Sequence, residues 1–120
     1  MSEHDNQSAL FSWIERQRFD GIELIHAVPN GGARNIVVAV KLKKEGVRPG
    51  VPDVLWGVSR GGFIGLAIEM KYGDGNPTKE QRYRMTKMQQ EGWLCCFAWD
   101  WLAAARTIQG YAGMVRVDAI

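Results

Sequence analysis

Two short apolar runs carry charges that apolar strands do not ordinarily tolerate. The segments 51–58 and 63–71 flank the turn signal Ser59-Arg60-Gly61-Gly62. They read as a β-hairpin with strands over 53–58 and 63–71 and a loop of about four residues. Asp53 opens the first strand, and Glu69-Met70-Lys71 closes the second. Charge inside a buried strand is costly unless it is paired or bound to an ion. Side chains alternate along a strand, so Glu69 and Lys71 share one face while Met70 turns to the core. Pairing Val58 with Phe63 sets Asp53 opposite Ile68. One residue of slip, from a bulge or a longer turn, sets Asp53 opposite Glu69 and brings two carboxylates together beside Lys71.

Close carboxylates repel, and the repulsion raises a pKa unless a cation lies between them. An all-oxygen cluster without Cys or His favours a hard ion, Mg2+ or Mn2+. Such an ion lowers the pKa of bound water and offsets charge on a phosphate. Lys71 is placed to orient or activate that water. The plainer alternatives are an Asp53 that caps a turn after Pro52 and an exposed edge strand bearing a Glu69–Lys71 ion pair.

The rest of the chain supplies a frame for this hairpin. Residues 8–18 put Leu10, Phe11, Ile14 and Trp13 on one helical stripe that Asp20-Gly21 stops. Residues 22–28 read as a short strand before Pro29-Asn30-Gly31-Gly32. Residues 35–46 combine strand propensity at Ile36-Val37-Val38 with lysines and a terminal Gly46 that suit a helix end; helix is the preferred reading. A helix is expected over 79–91 with Thr78 as N-cap and Gly92 as stop. A buried strand over 93–98, a helix over 100–109 and an edge strand over 114–117 complete the order. The alternation predicts an α/β domain, a mixed central β-sheet flanked by helices.

At 120 residues and 46% apolar, the chain reads as one domain, 1–120. No apolar run reaches the roughly 18 residues of a membrane span. The acidic, polar start Met1-Ser2-Glu3-His4-Asp5 is no secretory signal, so a cytoplasmic protein without membrane partners is expected. Adjacent Cys95 and Cys96 point to opposite faces of a strand and read as small apolar residues in a reducing compartment. Gly73-Asp74-Gly75 lacks the Gly-Lys-Ser/Thr of a P-loop, so no nucleotide cofactor is expected. The net charge is only +2, yet five cations fall within 34–48 and four within 79–87. The two patches suit a phosphate backbone or, equally, solubility.

The spacing Pro52-Asp53, fifteen residues, Glu69-Met70-Lys71 resembles the PD-(D/E)xK nuclease signature. The run from His26 through Pro29-Asn30-Gly31-Gly32-Ala33-Arg34 is similar to the VRR-NUC (virus-type replication-repair nuclease) branch. So are the run Lys43 to Asp53, the segment Gly75-Asn76-Pro77-Thr78-Lys79-Glu80-Gln81 and the later Gly92. The resemblance covers about residues 8–98. It implies a restriction-endonuclease-like core and an Mg2+- or Mn2+-dependent endonuclease of DNA phosphodiesters. In that reading Asp53, Glu69 and the Met70 backbone carbonyl are metal ligands and Lys71 is the catalytic lysine. Glu15 matches a first-helix acid near the metal, although Arg16 or Arg18 could instead pair with it. Gln81 matches a site glutamine, but Thr78-Lys79-Glu80-Gln81 is also a capping box. Asn30, Arg34, Lys43, Lys44, Arg48, Lys79 and Arg82 are the candidate DNA contacts. Single-domain relatives imply a homodimer cutting branched DNA, four-way (Holliday) junctions above all, in repair, recombination or replication of a bacterial or phage-infected cell. A flap preference, or a nucleic-acid-binding module without turnover, is the alternative.

Overall fold

The computed structural model describes residues 2–29 and 35–116. In chain order its elements are α1 (Glu3–Glu15), a 3-10 turn (Ile22–Leu24), β1 (His26–Ala27), α2 (Ile36–Lys44), β2 (Val54–Trp56), β3 (Gly65–Met70), α3 (Lys79–Gln90), β4 (Trp93–Ala98) and α4 (Trp101–Ala112). The ambiguous segment 35–46 is a helix. The Asn35 side chain accepts from the Val38 amide at 2.8 Å, and Lys41, Lys43 and Lys44 gather in the last turn, where cations meet the negative end of the helix dipole.

Several boundaries differ from expectation. β2 and β3 are shorter than 53–58 and 63–71, and α4 runs to Ala112 rather than 109. α1 begins at Glu3 rather than residue 8, because Ser2 and Asp5 close a reciprocal capping box ahead of it. The strand expected over 22–28 divides into the 3-10 turn and a two-residue β1. Residues 114–116 are not a strand; Val115 only accepts one hydrogen bond, from the Gly61 amide at 2.8 Å. Val117 lies outside the described residues.

The sheet order is β1-β2-β3-β4, antiparallel across the first two junctions and parallel between β3 and β4. α3 supplies the crossover that a parallel pair requires. The hairpin turns tightly at Arg60-Gly61-Gly62-Phe63, with Arg60 and Phe63 exchanging both backbone hydrogen bonds. Gly61 and Gly62 both hold positive φ, 57° and 87°, as a type I′ turn demands. Pairing then resumes at Trp56↔Leu66. Three residues, 57–59, therefore face two, 64–65, and this one-residue bulge shifts the register.

That shift decides which side chains meet. With Val54 opposite Ile68, Asp53 is next to Glu69 rather than Ile68. Val54, Trp56, Leu66, Ile68 and Met70 then point to one face, where Leu10 and Ile14 of α1 and Ala104, Ala105, Ile108 and Tyr111 of α4 cover them. The opposite face carries Asp53, Ala67, Glu69 and Lys71 toward α3. β3 is buried along its whole length, so its charged residue lies under cover. Two buried polar groups of the core find partners: Trp56 Nε1 donates to the Gly21 carbonyl at 2.8 Å and the Tyr111 hydroxyl to the Val58 carbonyl at 2.6 Å. Cys95 and Cys96 are free thiols in β4, and burial pushes both thiol pKa values up, Cys95 to about 11. Neither is an activated nucleophile. Among the described residues no helix is long and apolar enough to cross a membrane.

Candidate active site

Asp53, just ahead of β2, turns its carboxylate back across the register shift and accepts from the Met70 amide through Oδ2 at 2.9 Å. Glu69, one strand away, is only 5% exposed. Its Oε1 accepts from Gln81 Nε2 at 2.9 Å, while Oε2 is buried without a hydrogen-bond partner. Burial first, and then the neighbouring Asp53 carboxylate, push the Glu69 pKa up to about 8. Burial also raises Asp53, against the pull of the Met70 amide. Two carboxyls held this close out of water cannot both ionise cheaply, so the pair retains a proton.

Gln81 belongs to both alternatives. Thr78 and Gln81 cap α3 reciprocally, with the Thr78 hydroxyl accepting from the Gln81 amide and Gln81 Oε1 accepting from the Thr78 amide at 2.9 Å. The same Oε1 accepts from Lys71 Nζ at 3.1 Å. One amide thus holds the helix start, the lysine and the buried carboxylate in a single chain of hydrogen bonds. Lys71 forms no ion pair with Glu69 or Asp53; the glutamine lies between them.

Asp53, Glu69 and Gln81 open onto a cavity of about 460 Å³, whereas Lys71 is not among its lining residues. Its walls include Asp53, Glu69 and Gln81, Ala39, Leu42 and Lys43 of α2, and the loop 47–51 with Arg48. Glu3 lines it as well, and its charge acts on Asp53. Glu15 does not join the site. It lines a different cleft with Phe11, Arg18, Phe19 and Glu23. The thirteen residues from Glu3 to Glu15 span about 18 Å of helix, and α1 presents its first turn to the cavity. Sequence reasoning missed Glu3 because it started the helix too late. The Ser2-Glu3-His4-Asp5 capping signature was the signal available.

Of the candidate DNA contacts, Lys43 and Arg48 line the cavity, and Lys44 lies in the last turn of α2 beside them. Lys79 lines a neighbouring cavity. Arg82 is occupied locally, donating from Nε and Nη2 to the Pro77 carbonyl at 3.2 and 2.8 Å. Asn30 and Arg34 lie outside the described residues. The Met70 side chain is buried in the core, leaving only its backbone near Asp53.

An oxygen-only set of two neighbouring carboxyls, one with an orphaned buried oxygen, fits a hard divalent cation. Among the described residues no group of three or more His, Cys, Asp or Glu gathers tightly enough to hold an ion by itself. Asp53 and Glu69 would therefore need backbone oxygen and water to complete a coordination shell.

Comparison with family models and with curated proteins finds no match. Comparison with solved structures finds a VRR_NUC domain protein with a TM-score of 0.86 and 28% identity, covering 100% of this chain and 95% of that one. The likeness noted from Asp53, Glu69, Lys71 and their surroundings thus extends to the whole chain. The fold is that of a VRR-NUC domain, restriction-endonuclease-like, with a mixed four-stranded sheet and four α-helices among the described residues.

Proposed function

We propose that this chain is an Mg2+- or Mn2+-dependent endonuclease that hydrolyses DNA phosphodiesters. One observation carries the reading: Asp53 and Glu69 converge on a cavity whose lining also holds Lys43 and Arg48, with Glu69 Oε2 buried and without a hydrogen-bond partner and Lys71 linked to Glu69 through Gln81. Asp53, Glu69 and the Met70 carbonyl would hold the cation, with Glu3, in place of Glu15, as the acid that α1 brings to the same cavity. When bound, the ion would supply an acidified water and offset charge on the scissile phosphate. Lys71 orients the attacking water and stabilises the developing negative charge. Gln81 fixes the lysine and Glu69 relative to each other, so neither needs to reorganise during reaction. Lys43, Lys44 and Arg48 attract and position the DNA backbone.

The substrate reading is branched DNA, four-way junctions in particular, cut by a homodimer in the cytoplasm of a bacterial or phage-infected cell. Two sites related by a two-fold axis suit a two-fold-symmetric junction. α2 supports the dimer, since Ile36 and Val37 are 81% and 77% exposed and no residue of the helix is buried. The test incubates the protein with nicked, linear and four-way-junction DNA in Mg2+, Mn2+ or EDTA. Cleavage of the junction in either metal and none in EDTA is expected. Binding without products in every metal would instead identify a non-catalytic DNA-binding module, and a monomer that prefers flaps would refute the junction assignment.

A further inference from the structure

A second cavity, of about 310 Å³, adjoins the first across the loop at Pro49. Pro49 belongs to the walls of both; Lys79, Glu80, Tyr83 and Arg84 of α3 complete the second. Lys79 and Tyr83 are four residues apart, as are Glu80 and Arg84, so each pair stacks along one side of the helix. The relation between the cavities is fixed. Gly50 holds φ +78°, and a Cβ there would come within 2.5 Å of the Glu80 carbonyl oxygen, so the loop lies directly against the first turn of α3.

Tyr83 is 66% exposed, and among the described residues its ring pairs with no other aromatic and its hydroxyl makes no hydrogen bond. An exposed tyrosine by itself is ordinary. This one shares a cavity with two cations and a proline, one loop away from the carboxylate pair. An aromatic face flanked by cations along a groove is how proteins hold unpaired nucleotides, the base stacking on the ring and the backbone meeting the charges. A base within a duplex has both faces covered by its neighbours and cannot enter such a slot.

We propose that this cavity is a subsite for an unpaired nucleotide flanking the scissile phosphate. Its base lies on Tyr83 against Pro49, its phosphates meet Lys79 and Arg84, and Glu80 accepts from an exocyclic amino group. The subsite rests on the nuclease reading and narrows its substrate to DNA whose nucleotides beside the cut are unpaired or come unpaired on binding, as when a junction opens at its branch point.

The test places 2-aminopurine at an unpaired position next to the branch of a splayed DNA. Binding is measured in EDTA, where hydrolysis does not run. Wild type and Tyr83→Phe are expected to change the 2-aminopurine emission on binding. Tyr83→Ala is expected to lose that change and bind the splayed DNA about tenfold more weakly, with a smaller loss on blunt duplex. Tyr83→Ala retaining the emission change, weakening both DNAs equally, or a wild type that binds neither DNA would overturn the subsite. A parallel cleavage assay with Mg2+ and Mn2+ separates the two readings. Tyr83-dependent stacking without cleavage retires the nuclease and keeps the subsite, whereas cleavage without stacking retires the subsite alone.

Discussion

Replacing Glu69 by Gln should stabilise the metal-free protein, although Glu69 is among its most buried polar residues. The folded protein keeps a proton on this carboxyl up to about pH 8, whereas the ordinary glutamate value is 4.5. A folded-state pKa raised on an acid means that stability is complete below 4.5 and falls as pH rises toward 8. One proton is worth about 1.4 kcal/mol per pH unit, so at pH 7 the deficit is on the order of 3 kcal/mol. Glutamine has no proton to retain and still offers its carbonyl oxygen to Gln81 Nε2, the bond that holds Glu69 Oε1 at 2.9 Å. The assay is urea or thermal unfolding in EDTA from pH 4.5 to 8, read as the difference between wild type and Glu69→Gln. The difference should grow with pH and amount to a melting temperature about 10 °C or more higher for the variant at pH 7. Adding Mg2+ or Mn2+ should reverse the order, raising wild type and leaving the variant unmoved. A difference that does not depend on pH, or a variant that melts lower at pH 7 in EDTA, would refute the forced proximity of the two carboxyls.

Other outcomes follow from the same geometry. Gln81→Ala removes a helix cap and the partners of both Glu69 and Lys71, so the melting temperature should fall by about 4–8 °C and cleavage by about tenfold or more; wild-type activity would show that the glutamine only caps. Glu3→Gln should lower metal-dependent cleavage by about tenfold, while Glu15→Gln, at the far end of α1, should not; the reverse pattern in a steady-state assay would return the helix acid to Glu15. Gly50→Ala should destabilise the fold by about 1 kcal/mol or more, because of the positive φ and the Glu80 carbonyl 2.5 Å from the new Cβ; an unchanged urea midpoint would contradict the close packing of this loop on α3.

The site was more legible in the sequence than the elements around it. A carboxylate and an acid-x-base pair inside apolar strands are anomalous enough to flag Asp53, Glu69 and Lys71 without coordinates. Their convergence was conditional, because strand periodicity cannot count a bulge. The extra residue across from Gly65 is set by the Gly61-Gly62 turn and the packing of Trp56. The α1 acid was misplaced for a local reason: the apolar stripe starts at Leu10, so periodicity saw only the second half of the helix and the polar half starting at the Ser2 cap went unread. Gln81 could not be divided between cap and site because one side chain does both, and a sequence motif does not reveal that a single oxygen accepts from Thr78 and Lys71 together. Tyr83 carried no signal of its own; only the position of Pro49 beside it gives that ring a neighbourhood.

Mn2+ titration followed by electron paramagnetic resonance tests most directly whether Asp53 and Glu69 form a cation site. The wild-type protein should remove free Mn2+ from solution with a stoichiometry set by the site, while Asp53→Asn and Glu69→Gln, each still folded by circular dichroism, should leave it free. Equal Mn2+ uptake by all three proteins would contradict the account.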